Sequence, residues 1–235
     1  MRMRIIERAS DAKTTILFIS DLHWPPRGDI SYKLLSTVIN ALGIDWLIFG
    51  GDLCTYLSRL PEALKWLAAL NAKFGRLAVL GNRESVIQWQ PHSFWRRQFQ
   101  TAGFTLLCND ILETPSIRFY GLDDARYGRP SWKDLTADKT FTITISHNPD
   151  AIADTSPDRY IGDFVLCGHT HAGQIVLPIV GAPYTSSAYG RQFQKDWQIR
   201  RDGVPCFVSA GIGDAGRGFI KQRIFCERQL LLLKI

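Results

Sequence analysis

The chain is poor in the residues that build disulfide scaffolds, zinc frameworks and membrane spans. Its five cysteines (Cys54, Cys108, Cys167, Cys206 and Cys226) are scattered, odd in number and form no CxxC pair. A thiol-based framework needs clustering, so buried, reduced thiols are expected instead. No apolar run approaches the roughly 20 residues a bilayer helix requires. The longest near the start, ILFIS at 16–20, is strand-sized and runs into Asp21. The opening MRMRIIERASDAK is basic but leads into no apolar h-region or cleavage site, so no secretory leader is expected and a cytoplasmic protein is predicted. Low-complexity segments and internal repeats are also lacking, which excludes solenoids.

What is present is an ordinary apolar fraction over 235 residues, enough for one large domain with a substantial core. The formal charge of +6 suits an anionic partner such as a nucleotide, nucleic acid or an acidic lipid surface. Short branched runs, TTILFIS (14–20), DWLIFG (45–50) and RLAVL (76–80), read as buried strands. Between them, segments 31–42 and 57–70 carry apolar residues at three- and four-residue steps and read as helices. This β-α-β-α-β order predicts a parallel sheet with ligands beyond its strand carboxyl ends, where SDLH, GGDL and GNRE fall. A helix near 93–102 follows, with Trp95 and Phe99 inward and Arg96 and Arg97 outward. The second half is richer in strands (TLLC, IRFYGL, FTITISH, DFVLCGH, GQIVLP, PCFVSAG and QLLLLKI), predicting a parallel half followed by a more mixed half. The Gly- and Tyr-rich stretch 181–190 is expected as an ordered loop near the site.

Four of the five histidines fall directly after predicted strands: His23, His147, His169 and His171. Asp21, Asp52 and Asn82 also stand at strand ends. In DxH and HxH, residues two apart in extended chain point the same way, so both can meet one cation. Mixed nitrogen and oxygen donors suit Mn, Fe or Zn better than Ca or Mg.

The ordered set DLH, GDL, GNRE, SHNPD and GHTHAGQ resembles the calcineurin-like metallophosphoesterases, from about residue 15 to the C-terminus. GLDD (121–124), SHNPD and GHTHAGQ place it nearest a branch of bacterial phosphodiesterase-like proteins. The resemblance implies an α/β fold of mixed α+β character, a four-layer αββα sandwich of two mixed sheets flanked by helices, over a single domain 1–235. It also implies two divalent metals, Mn foremost with Fe or Zn as alternatives. Asp21, His23, Asp52 and His171 would hold the first. Asp52, Asn82, His147 and His169 would hold the second, with Asp52 bridging. Such a pair can clamp a phosphoryl group and generate a hydroxide nucleophile near neutral pH.

One position departs from the family pattern. Where most members have GNH and an acidic residue, with the histidine beside the leaving group, this chain has Arg83. Arginine, with a pKa above 12, stabilises phosphate charge but cannot act as a general acid. An alkoxide benefits strongly from a proton, whereas a leaving phosphate monoester needs none. Arg83 therefore favours an anhydride substrate. A GNR-acidic motif is also characteristic of UDP-2,3-diacylglucosamine pyrophosphatases of lipid A synthesis. The expected activity is a two-metal phosphohydrolase of that type on a phosphorylated small molecule or a nucleotide-linked lipid, with Arg83, Asp52 and His147 catalytic. Asn82, Arg83, His92 and Arg217 are the candidate substrate contacts. The rivals are a general phosphodiesterase for cyclic nucleotides or nucleic acid ends, and an inactive scaffold binding a protein partner. Nucleic acid is the less favoured partner. Peripheral contact with an anionic membrane at its inner face is compatible with the basic, aromatic loop before the 93–102 helix. An ion pair between Arg83 and Glu84 is the competing, purely structural reading of Arg83. Asp123 and Asp124 are expected to bond loops. Tyr56 stands four residues after Asp52, one too far for a metal-bound tyrosine of the purple acid phosphatase kind. GIGDAGRGF (211–219) lacks the strand-helix context of a dinucleotide fingerprint.

Overall fold

A computed structural model of the chain describes residues 1–8, 13–24, 31–87, 89–156, 158–194, 196–199, 203–215 and 223–235. Among the described residues, twelve strands lie in two six-stranded sheets. The first orders β1 (Arg2–Glu7), β12 (Gln229–Lys234), β2 (Thr15–Ile19), β3 (Trp46–Phe49), β4 (Gly75–Ala78) and β5 (Thr105–Leu106). The second orders β10 (Asp196–Ile199), β11 (Pro205–Val208), β9 (Phe164–Cys167), β8 (Phe141–Ser146), β7 (Ile117–Gly121) and β6 (Asp110–Glu113).

Strict alternation builds the layers. Ile16 and Phe18 of β2 and Ile48 of β3 face Ile143 and Ile145 of β8 and Phe164 and Leu166 of β9 across the sandwich. Their neighbours Leu17, Ile19, Leu47 and Phe49 point the other way, onto helices α1 (Tyr32–Ala41), α2 (Leu60–Ala68) and α4 (His92–Thr101). Central strands buried on both faces read as continuous apolar runs, which is why they were legible in the sequence. Ser31 caps α1 by accepting from Leu34 N, and Leu35 and Ile39 are its buried face. In α4, Trp95 and Phe99 are fully buried and Arg96 and Arg97 exposed. The outer layer on the second sheet is thinner, built from the short α5 (Asp150–Ala153) and from Trp132, Ile161 and Phe193.

Three expectations need correction. The first sheet is not wholly parallel, because β12 returns from the C-terminal end to pair antiparallel with β2 and parallel with β1, so both sheets are mixed as the resemblance implies. The second sheet is parallel through β7, β8, β9 and β11, with antiparallel strands only at its edges. GQIVLP is no strand: Ile175 bridges Ile224, Leu177 pairs with Gly181, and Pro178 stops the ladder between them. The basic opening is β1, whose alternation is blurred because an edge strand keeps half of its side chains in water.

Candidate metal centre

The parallel strands of both sheets end at one rim, and the site is assembled there. Asp21 and His23 follow β2, Asp52 follows β3, and Asn82 opens the short helix α3 (Asn82–Val86) after β4. His147 follows β8, and His169 and His171 follow β9. Five of these residues have positive φ: Asp21 (55°), His23 (46°), Asp52 (59°), His169 (71°) and His171 (49°). Such conformations cost about 1–3 kcal/mol each and persist where surrounding structure enforces them, typically at functional sites. Two glycines allow the crowding. Gly51 has φ 91°, and a Cβ there would meet Gly81 N at 2.7 Å and His147 Nδ1 at 2.8 Å. A Cβ on Gly81 would collide with the Asp52 carboxylate.

All seven donors expected at the centre converge. His23 Nε2 lies 2.9 Å from His171 Nε2 and 3.5 Å from Asp52 Oδ2. His171 Nε2 is 3.4 Å from Asp21 Oδ1. Around the other carboxylate oxygen, His147 Nε2 lies 3.5 Å from Asp52 Oδ1, 3.3 Å from Asn82 Oδ1 and 3.3 Å from His169 Nδ1. Asp52 thus offers one oxygen to each group. Donors about 2.0–2.2 Å from a shared cation stand about 2.8–3.6 Å apart in tetrahedral or octahedral geometry. Every separation above falls inside that range. The donor set therefore fits two cations with Asp52 between them.

The surroundings orient the rings. His147 Nδ1 donates to Gly50 O at 2.7 Å, which leaves Nε2 facing the centre, able to offer a lone pair once it gives up its proton. Arg223 Nη2 lies 3.2 Å from His171 Nδ1 and can only donate, so the proton of neutral His171 sits on Nε2 and points at His23 Nε2. His23 Nδ1 is then left buried without a partner. A cation would occupy the region of that proton and oblige the Arg223 contact to give. Arg223 is held elsewhere by Asp214 at 3.0 Å and by Ala210 O at 2.7 Å.

Burial, and next Arg83, keep His23 well below the ordinary histidine pKa; burial, and next His23, do the same for His171. Burial and His147 push His169 down to about 3. These three are neutral, as ligands must be. Burial raises Asp21, and raises Asp52 to about 6. His147 goes the other way: burial lowers it, but Asp52 and Asp21 outweigh burial and raise it to about 9. Two buried carboxylates and one imidazolium are thus a cluster short of positive charge, which divalent cations would supply.

Glu84 is a residue whose part in the site the sequence did not disclose. Its buried carboxylate accepts from Asp52 N (2.9 Å), Leu53 N (2.7 Å) and Gly81 N (2.7 Å), tying the loop after β3 to the loop after β4. It makes no pair with Arg83. Burial, then Asp52, push Glu84 up to about 7 against the pull of those three donors. The only available signal was the acidic residue in GNRE. The Arg83 guanidinium has no hydrogen-bond or carboxylate partner among the described residues, and its Nε is buried without one. With His171, Ile175, Tyr184 and Thr185 it lines a cavity of about 350 Å³, which the 181–190 loop closes on one side. His92 is not in that cavity. It starts α4 and faces Cys108 and Asp123. Arg217 lies outside the described residues. Asp123 accepts from Arg129 N and Asp124 from Tyr127 N, so both bond the loop as expected.

The sequence model described as calcineurin-like phosphoesterase matches residues 14–173. The chain belongs to the calcineurin-like phosphoesterases. Divalent metals are the cofactors of this family, and the candidate ligand clusters Asp21–His23–His171 and Asp21–Asp52–His147 lie within the matched residues. Among curated relatives, the metallophosphoesterase YkuE of Bacillus subtilis is 28% identical over 193 residues, covering 77% of this chain and 65% of that protein. Phosphodiesterase YaeI of Escherichia coli is 30% identical over 182 residues, covering 72% and 64%. UDP-2,3-diacylglucosamine pyrophosphatase LpxG of Chlamydia trachomatis is 29% identical over 215 residues, covering 69% and 65%. The chain therefore spans just under two thirds of the length of these relatives. Among the described residues, no helix of this phosphoesterase is long and apolar enough to cross a membrane.

Proposed function

We propose that this phosphoesterase is a two-metal phosphohydrolase that cleaves a phosphoric anhydride in a nucleotide-linked lipid, with UDP-2,3-diacylglucosamine, the lipid A precursor, as the best candidate. The observation that carries the reading is the Arg83 guanidinium, which has no carboxylate partner among the described residues and borders the same cavity as His171. In this reading Asp21, His23, Asp52 and His171 hold one cation and Asp52, Asn82, His147 and His169 the other, Mn being the metal favoured and Fe or Zn the alternatives. Cations bound there supply Lewis-acid polarisation of a phosphoryl oxygen and lower the pKa of an attacking water.

The remaining work falls to the chain. Asn82 turns its amide toward the phosphoryl group, and Arg83 binds oxygens of the leaving phosphate through its planar fork. A leaving phosphate monoester has a second pKa of about 6, against about 15.7 for water as a stand-in for an alkoxide. Positioned acid catalysis is worth about 100- to 10,000-fold, and an anhydride gives up little by lacking it. An apolar rim is available to a lipid portion: Ile175 and Tyr184 line the cavity, and the exposed Leu177, Ile179 and Phe225 stand close along the chain to the Ile175–Ile224 bridge. That rim, more than the loop before α4, supports peripheral contact with an anionic membrane from the cytoplasmic side. Similarity to LpxG agrees with the anhydride reading, and similarity to YaeI favours the alternative of a general phosphodiesterase. The return of β12 to the first sheet supports reading residues 1–235 as a single metallophosphoesterase domain. The test compares turnover of UDP-linked anhydrides with turnover of a diester bearing an alkyl leaving group, both with Mn²⁺. Preference for the anhydride is expected; efficient alkyl diester cleavage would overturn the assignment of Arg83.

A further inference from the structure

A second group of side chains of metal-ligating type stands at the same rim and shares no residue with the first. Cys108 follows β5, Asp123 follows β7, and His92 is the first residue of α4, so three separate segments converge. Cys108 Sγ lies 3.5 Å from His92 Nδ1, and His92 Nε2 lies 3.5 Å from Asp123 Oδ1. One donor atom from each residue lies within 4.8 Å of the other two.

We propose that Cys108, His92 and Asp123 form a distinct site for a thiophilic divalent cation, zinc being the metal whose chemistry it fits. Asp123 is only 1% exposed, yet among the described residues no lysine or arginine lies within ion-pairing distance of it. Buried carboxylates are paired or bind metal, and here the facing cationic candidate is a histidine whose side chain is half exposed. The carboxylate is already oriented: Oδ1 accepts from Asp124 N at 2.9 Å and Oδ2 from Arg129 N at 2.8 Å, as outer partners of ligating carboxylates do. A separation of 3.5 Å is long for a hydrogen bond to a carboxylate. Around a tetrahedral zinc, however, sulfur and nitrogen donors at about 2.3 and 2.0 Å stand about 3.5 Å apart. The two ring nitrogens face different partners, so a turn of the half-exposed imidazole brings one of them onto a cation held by Sγ and the carboxylate. Binding converts the Cys108 thiol to thiolate and releases its proton to solvent, and the exposed side of His92 leaves a position for water.

The sulfur donor separates this site from the centre containing Asp52, whose expected donors are all nitrogen and oxygen. Soft thiolate selects zinc where carboxylate and imidazole accept manganese. A cation here would also clamp the first turn of α4 to the ends of both sheets.

The probe is Co²⁺ titrated into metal-free full-length protein. A thiolate ligand produces a sulfur-to-cobalt charge-transfer band in the near ultraviolet, which nitrogen and oxygen donors do not. The band is expected in the wild type, absent in Cys108→Ser, weakened in Asp123→Asn and His92→Gln, and retained in Cys54→Ala and Cys226→Ala. Its absence from the wild type, or its persistence in Cys108→Ser, overturns the proposal. Zinc-edge X-ray absorption on wild-type protein provides a second measurement that does not depend on the variants folding. One sulfur in the shell of a zinc ion supports the site, and a shell of nitrogen and oxygen alone refutes it.

Discussion

Binding of divalent metal to this phosphoesterase should release a proton from His147 at neutral pH. In the metal-free protein Asp52 and Asp21 hold His147 protonated with a pKa of about 9, against the opposing pull of burial. Its Nε2 is the atom that faces Asp52, Asn82 and His169, and a cation needs that lone pair. At pH 7 deprotonation therefore costs about two pKa units, about 2.7 kcal/mol, so apparent affinity is about 100-fold weaker than well above pH 9. Titration calorimetry with Mn²⁺ at pH 7, in buffers of differing ionisation enthalpy, should report close to one proton released by His147. The apparent affinity should climb about tenfold per pH unit between 7 and 9. Below pH 6, Asp52, raised to about 6, adds a second proton. The stability of the metal-free protein runs the opposite way. A histidine raised above its unfolded value of about 6.5 stabilises fully below that value, and the benefit disappears as pH climbs through about 9, a change of about 3 kcal/mol. Metal-free protein should thus lose melting temperature over that window while the increment conferred by Mn²⁺ grows. An affinity flat between pH 7 and 9, with no buffer dependence of the binding heat, would refute the assignment of His147 as a ligand.

Three further outcomes follow from the geometry. Arg83→Ala should lower kcat/KM for anhydride substrates by about 100- to 1,000-fold, the scale of losing one charge-stabilising donor, and leave alkyl diester cleavage nearly unchanged; parallel steady-state assays decide it. Glu84→Ala strands three backbone N–H groups at about 1–3 kcal/mol each, so a loss of at least about 3 kcal/mol is expected by denaturant unfolding, together with weaker metal binding. Trp95→Ala opens a cavity beneath α4 and should cost about 3–5 kcal/mol in the same measurement, with metal stoichiometry retained.

The central strands and the side chains that converge at the rim were legible because each rests on a local rule. Strands buried on both faces are uninterrupted branched runs, and residues two apart in extended chain share a side. The edge strands β1, β6 and β10 carried weaker signals, since an exposed edge does not enforce alternation. Loop chemistry was legible only in part: GNRE showed that Arg83 could not deliver a proton, but its acidic residue marked Glu84 without disclosing that it turns inward to collect three backbone donors.

Residue types and spacing by themselves determined which side chains could bind metal and which chemistry Arg83 forbids, because donor atoms and intrinsic acidity belong to the side chain. Tertiary structure decided the distances and the charges. Asp52 reaches His23 with one oxygen and His147 with the other only because β3 lies parallel to β2 and the sheet bearing β8 packs across it. Burial then holds three imidazoles neutral while two carboxylates keep the fourth protonated. The meeting of Cys108, His92 and Asp123 belongs to the same category. Separations of 16 residues between His92 and Cys108 and 15 between Cys108 and Asp123 follow no periodic rule, and only the closure of two sheets around one rim brings them together.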